Sequence, residues 1–276
     1  MNRIRLIASD MDATLLDEQS QLPADFEETI HALAELGIRF APASGRPLYT
    51  LEELFPTLRD ELVFIGDNGG AIRWKGQNLF TSEMSPEGWR ALNRLTREQG
   101  DIAVLCGLES AYVERPFAVH DAVLRHFYTK IEYVDRLEDV TAPADKFTIY
   151  LPQHNAQQAY DTVYASQRSI YSVAVAGECW VDIMNPGVHK GAALQTLGQL
   201  WGLSPECMMA FGDTYNDAEM LRTAKYGFLM ENGSEPLRQK VPFLAPSHRE
   251  AGVMQVLHRV LAQNGCVCPE DFVPAH

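Results

Sequence analysis

Cations are scarce in this chain of 276 residues: 23 Lys and Arg stand against 37 Asp and Glu, a formal charge of -14. A field of that sign repels nucleic acid and anionic membrane, so neither is an expected partner, and any anionic substrate must be captured by local cations. Long apolar runs are missing too. The opening "MNRIRLIASDMD" carries no signal-peptide pattern, and no later run approaches the roughly 20 residues of a membrane span, so a cytoplasmic address is expected. Five cysteines, at 106, 179, 207, 266 and 268, form an odd set without a CxxC pair, which argues against a disulfide framework or a structural zinc. The late "CVC" offers two thiols where a structural zinc needs four ligands, and is expected to be plain tail. Internal repeats and low-complexity segments are absent. Apolar residues make up 46% of the chain, enough to fill a sizeable core in one large domain or two modest ones.

The apolar patterning predicts strand, helix, strand at the start: "RLIAS", then "LPADFEETIHALAELG" with Phe26, Ile30 and Leu33 on one face and Pro23 in the first turn, then "IRFAPAS". A crossover of that length makes the two strands parallel and puts ligands at their carboxyl ends. "LVFIG" predicts a third strand, and "AIRWKGQNLF" a hairpin turning at Lys75-Gly76. The C-terminal part repeats the theme, with "KGAALQTLGQLWG" a helix, "CMMAFG" a strand, "DAEMLRTA" a short helix and "YGFLM" another strand. Between about 83 and 185 the composition changes to β-rich segments ("IAVLCG", "SAYVE", "KFTIYLP", "SIYSVAVAG", "CWVDIMN"), with helical stretches expected near 118–129 and 154–167. The fold class expected is therefore α/β: a Rossmann-like parallel-sheet core from residues 1–82 and 186–276, with an inserted α+β cap domain at 83–185.

Acids stand where apolar strands end. Asp10 and Asp12 follow the first strand, and Asp213 and Asp217 in "GDTYND" follow a later one. Two carboxylates about 4 Å apart repel by on the order of 1 to 4 kcal/mol, so burying them together requires a cation or a proton. If both strands are central and parallel, these acids converge into an oxygen-rich pocket suited to Mg²⁺, which would also neutralise phosphate oxygens. Anion donors are at hand. "ASGRP" ends the second strand with Ser44, Gly45 and Arg46 before a predicted helix start, and Lys190 opens the helix after "NPGVH". A lysine there opposes the helix dipole, which favours a functional role. A carboxylate attacking phosphorus would form an aspartyl phosphate, with a second acid to protonate the leaving oxygen and later activate water.

In order, "DMDAT", "SGR", "GVHKG" and "GDTYNDAEM" resemble the motifs of the haloacid dehalogenase-like superfamily, and their spacing resembles its Cof-type sugar-phosphate phosphatase branch. The resemblance extends to "DNGG" at 67–70 and "REAGV" at 249–253. It implies Asp10 as nucleophile and Asp12 as general acid/base, Ser44 on the transferring phosphoryl group, and Lys190 holding both that group and the nucleophile. Asp213 would ligate Mg²⁺ with Asp10 and the backbone carbonyl of Asp12, while Asn216 and Asp217 support the metal or its waters. The implied activity is a Mg²⁺-dependent phosphatase of small phosphorylated metabolites such as sugar phosphates. A phosphomutase of the same superfamily and a non-catalytic sugar-phosphate or Mg²⁺ binder are the alternatives.

Three departures stand out: Ala13 where the branch usually has Gly, His189 where Ser, Thr, Asp or Asn often precedes the lysine, and Glu231-Asn232-Gly233 in place of Gly-Asn-Ala. Asn68 is expected either to form an Asx turn or to meet substrate, and Arg46 to be either an anion ligand or a salt-bridge partner. Asp182 is expected at an outward edge or near the cap hinge. Arg115, His120, Arg125, His126 and Lys130 form a basic group that either greets the leaving half of the substrate or is a solvated face. Trp89, Trp180 and Trp201 are expected to pack in core or interface.

Overall fold

The computed structural model describes residues 2–276. Two sheets dominate it. The larger has nine strands, and at its centre Tyr226–Met230, Met208–Gly212, Leu6–Asp10, Arg39–Ala43 and Val63–Gly66 lie side by side and parallel. The hairpin Ala71–Trp74 and Gln77–Thr81 extends one side antiparallel, turning through Lys75 and Gly76 as its sequence predicts. Both faces of this sheet are covered, which is why its strands read as unbroken apolar runs rather than alternating ones. Ile7, Phe40, Phe64, Met209 and Phe211 pack on one side with the helices Phe26–Glu35 and Gly252–Ala262. Leu6, Ala8, Ala41, Ile65 and Ala210 pack on the other with the helix Lys190–Trp201.

The register puts the carboxyl ends of three central strands level. Ser9 lies opposite Phe211, and Asp10 opposite Ala43. The residues that leave those ends are therefore neighbours: Asp10 itself, Asp213 after Gly212, and Ser44 after Ala43. This is the crevice in which open parallel sheets bind ligands.

The second sheet has six strands in the order Ser172–Val175, Trp180–Met184, Ala144–Tyr150, Ile102–Gly107, Ala111–Glu114 and Ile131–Val134, antiparallel except for the last pair. It forms the inserted α+β cap, and one of its faces looks onto the strand ends of the core. Asn185 ties the two chain crossings together, its amide donating to the Ser82 carbonyl at 3.2 Å and to the Glu83 carbonyl at 2.9 Å.

Some elements depart from expectation. The first long helix begins at Phe26 rather than at Pro23, whose carbonyl instead accepts from the Phe26 N–H in a preceding turn. Helix Pro86–Gln99 has no counterpart among the apolar stripes: its buried face is Trp89, Leu92, Asn93 and Thr96, half of it polar, so periodicity gives a weak signal. Its end signals are nonetheless strong, with the Ser85 side chain capping the Gly88 N–H, Pro86 in the first turn, and Gly100 left-handed at the end.

Candidate active site

At the end of the first strand the chain turns sharply. Ala13 takes φ 56° and ψ 15°, the left-handed region in which a Cβ is strained by roughly 1 to 2 kcal/mol. That explains why glycine is the usual residue there, and Ala is the smallest side chain that can replace it. The turn sends the two acids apart. Asp10 is buried, whereas the Asp12 side chain is 61% exposed and pairs with Arg46 at 2.8 Å. Thr14 comes back under the site, its hydroxyl 3.5 Å from Asp213 Oδ1.

Asp10, Asp213 and Asp217 form one cluster, each offering a carboxylate oxygen within 4.8 Å of the others. Lys190 is fully buried among them. Its ammonium donates to Asp10 Oδ1 and, at 2.7 Å, to Asp217 Oδ1. The other Asp217 oxygen accepts the backbone N–H groups of Asp213 and Thr214, both at 3.1 Å. Asp217 thus spends both oxygens on shaping the loop and steering the lysine. Gly212 makes this possible, since a Cβ there would lie 2.4 Å from that of Asp217. The Asp12 carboxylate is outside the cluster.

Three carboxylates against one ammonium leave two negative charges uncompensated. Burial pushes the Asp10 carboxyl up to about 8; Lys190 opposes the rise, and Asp217 and Asp213 add to it. Burial, with Asp217 beside it, likewise pushes Asp213 up to about 6. For Lys190, burial disfavours the charge, but the Asp10 and Asp217 carboxylates outweigh it and hold the ammonium above its ordinary range. A set of hard oxygen donors with this charge deficit fits a divalent cation such as Mg²⁺. The donors left over for it are Asp10 Oδ2 and the Asp213 carboxylate.

The lysine is aimed by its helix. His189 precedes the helix Lys190–Trp201 and caps it, its Nδ1 accepting from the Ala192 N–H at 3.1 Å. Histidine here does the work of the expected Ser, Thr, Asp or Asn, with the ring proton on Nε2. Replacing it with Ala should lower stability by about 1 kcal/mol, while His189→Asn, which keeps a short acceptor, should hold near wild type; thermal melts of both variants check this. Gly69, at φ 99°, passes so close that a Cβ would sit 2.6 Å from the His189 carbonyl oxygen. Asn232, the one residue of the 231–233 segment that keeps the usual pattern, braces the turn: its amide donates to the Ala13 carbonyl at 2.9 Å, and its Oδ1 accepts the His248 N–H.

Beside the cluster lies a cavity of about 390 Å³ between core and cap. Asp12, Ser44, Gly45, Arg46 and Asn216 line its core side. Ser44 Oγ accepts from the Arg46 N–H at 3.1 Å, which folds the loop back on itself. The helix that follows, Leu48–Glu53, is short and has Pro47 ahead of it, so the hydroxyl and the loop backbone, rather than a helix end, face the cavity.

The cap side was largely hidden in the sequence. Lys146 and Thr148 project from the same face of one strand, and Asp182 and Trp180 from the next, with Thr148 paired to Asp182 in register. Asp182 is neither an edge residue nor exposed: its Oδ1 accepts from the Thr148 hydroxyl at 2.7 Å and its Oδ2 from the Asn68 amide at 3.2 Å. Asn68 is left-handed, and its Oδ1 lies 3.4 Å from the Asn216 amide. Trp180 is a wall of the cavity as well as a packing residue, joined by Phe127 and Tyr128. The basic group is a solvated face: Arg115 pairs with Asp135 and Arg125 with Asp121 on the surface, and the segment meets the cavity through its aromatics instead.

Comparison with known proteins agrees with this arrangement. Residues 7–257 match the model of the haloacid dehalogenase-like hydrolase family. The 5-amino-6-(5-phospho-D-ribitylamino)uracil phosphatase YbjI of Escherichia coli (strain K12) is 32% identical over 262 residues, covering 94% of this chain and 96% of its own. The HMP-PP phosphatase of Cronobacter sakazakii is 31% identical over 249 residues, 87% of this chain and 89% of its own. Among solved structures, SMU.1108c from Streptococcus mutans superposes with a TM-score of 0.84 at 28% identity, over 94% of this chain and 99% of that one. Its motifs, its fold and these relatives together make the chain a member of the haloacid dehalogenase-like hydrolases, as a phosphoric monoester hydrolase of that family.

Proposed function

We propose that the chain is a Mg²⁺-dependent phosphatase that acts on small phosphorylated metabolites, sugar phosphates among them, through an aspartyl phosphate on Asp10. The observation that carries this reading is the single buried ammonium of Lys190 set among the carboxylates of Asp10, Asp213 and Asp217. Mg²⁺ would be held by Asp10, Asp213 and the Asp12 carbonyl, and when bound supplies a Lewis acid for the phosphoryl oxygens. Lys190 aims Asp10 and favours its ionised form against the burial that opposes it. Asp10 attacks phosphorus while Asp12, exposed to the cavity, delivers a proton to the departing ester oxygen. Water then attacks the acyl phosphate, Asp12 takes its proton, and Asp10 is released with free phosphate. Ser44 and Gly45 hold the phosphoryl group through the sequence, and Asn216 and Asp217 keep the acid loop in shape.

The cavity accommodates a leaving group of metabolite size, with aromatic walls at Phe127, Tyr128 and Trp180 and polar groups at Thr148 and Asp182. One relative is named for a uracil carrying a phosphorylated ribityl chain, so that compound belongs in the assay beside hexose and pentose phosphates. Phosphate release from such a panel should require Mg²⁺, stop with EDTA, and return when Mg²⁺ is restored. A phosphomutase would instead yield an isomeric phosphate ester. No free phosphate from any compound would refute the reading.

A further inference from the structure

The loop of Ser44, Gly45 and Arg46 presents three successive carbonyl groups, and each accepts a hydrogen bond. The Ser44 carbonyl accepts from the Asn68 N–H and the Arg46 carbonyl from the Asp67 N–H, both at 2.9 Å and both within the core. The middle one is different. The Gly45 carbonyl accepts from Lys146 Nζ at 2.6 Å, and Lys146 belongs to the cap. Its side chain is 2% exposed, and the ammonium also pairs with Asp67 at 3.0 Å and with Asp182 at 3.6 Å.

Burying an ammonium and two carboxylates across the junction of two sheets is costly unless the geometry is used, and apolar side chains would join the sheets at least as well. What apolar side chains could not do here is hold a carbonyl, and Lys146 does. With all three carbonyls bonded, the loop that bears the Ser44 hydroxyl is fixed in place where it lines the cavity. Preorganised donors of this kind are worth most when they do not have to reorient during the reaction.

We propose that Lys146 is a positioning residue for the reaction: from the cap, it completes the fixing of the 44–46 loop, so that this loop is fully organised only with the cap seated. The proposal rests on the phosphatase reading above. Lys146 thereby couples the cap to this loop, and it acts through the loop rather than on the reacting atoms.

The test uses the full chain and the double variant Lys146→Met, Asp67→Asn. It removes one charge of each sign, so the net charge of the cluster is unchanged, and Asn tolerates the left-handed backbone that Asp67 adopts at φ 49°. Lys146→Met alone should lower the melting temperature because it strands Asp67 and Asp182, and the second substitution should recover much of that loss. Turnover should not recover. The expected kcat on p-nitrophenyl phosphate with Mg²⁺ is tenfold or more below wild type, and inorganic phosphate should inhibit correspondingly less well. Wild-type kcat in a double variant of wild-type melting temperature would overturn the proposal. A measurement on the unaltered protein guards against misfolding of the variant: by NMR, the Lys146 ammonium protons should exchange with water far more slowly than those of surface lysines, and fast exchange would also overturn it. If the wild-type chain hydrolyses no ester at all, it is the phosphatase reading that falls. The loop's role is then read from calorimetric binding of inorganic phosphate, expected to weaken tenfold in the double variant and to be unchanged if Lys146 plays no part.

Discussion

Asp10→Asn should reduce phosphate release by at least ~10⁴-fold while leaving the fold intact, because it removes the attacking oxygen without emptying its place. The amide is nearly isosteric and neutral, so it also avoids the cost of burying a charge which, with Asp217 and Asp213 nearby, pushes the Asp10 carboxyl up to about 8. Metal-free, the variant should therefore melt no lower than wild type, even with the Lys190 pair lost. Turnover and a thermal melt on the same preparation separate chemistry from folding. Substantial residual turnover would mean that another group is the nucleophile.

Lys190→Met should damage both. Among the described residues the ammonium is the one side-chain cation paired with the carboxylate cluster, and removing one partner of a buried ion pair typically costs about 3 to 5 kcal/mol. For a chain of this length that is a fall in melting temperature on the order of 6 to 15 °C. Activity should fall with it, since Asp10 loses the group that aims it and favours its ionised form. A divalent cation should compensate the fold but not the reaction: with three carboxylates and no internal counter-charge, the variant should gain more in melting temperature from millimolar Mg²⁺ than wild type gains. An unchanged melting temperature in EDTA would show that the cluster is not held together by this lysine.

How much of this was legible depends on the kind of signal each residue leaves. The core strands are apolar runs because both faces of the sheet are covered, and an acid that ends such a run is conspicuous. Asp10, Asp213 and Ser44 were visible for that reason, and Lys190 because it stands at a helix start, where a cation opposes the dipole. His189 looked like a departure, and proved to supply the same capping acceptor by other means. Lys146 and Asp182 left no such mark. In a strand with polar residues at alternating positions, "ADKFTIY" or "WVDIM" is read as one face in solvent, and only the packing of that face over the core strand ends makes it an interior. Helix Pro86–Gln99 was obscured in a related way, since Asn93 and Thr96 fill half of its buried face.

The sequence by itself determined the strands of the core, the parallel pairing of the first two, and which acids and which lysine stand at their ends, because burial and hydrogen bonding of a backbone are written in local pattern and spacing. It did not determine that the Asp12 carboxylate turns away from its neighbour toward Arg46, that Asp217 uses both oxygens on its own loop and Lys190, or that a cap lysine reaches the Gly45 carbonyl. Those are contacts between segments up to 101 residues apart, as with Gly45 and Lys146. They depend on a few degrees of backbone at Ala13 and on how one sheet is seated over another, and side-chain periodicity carries no information about either.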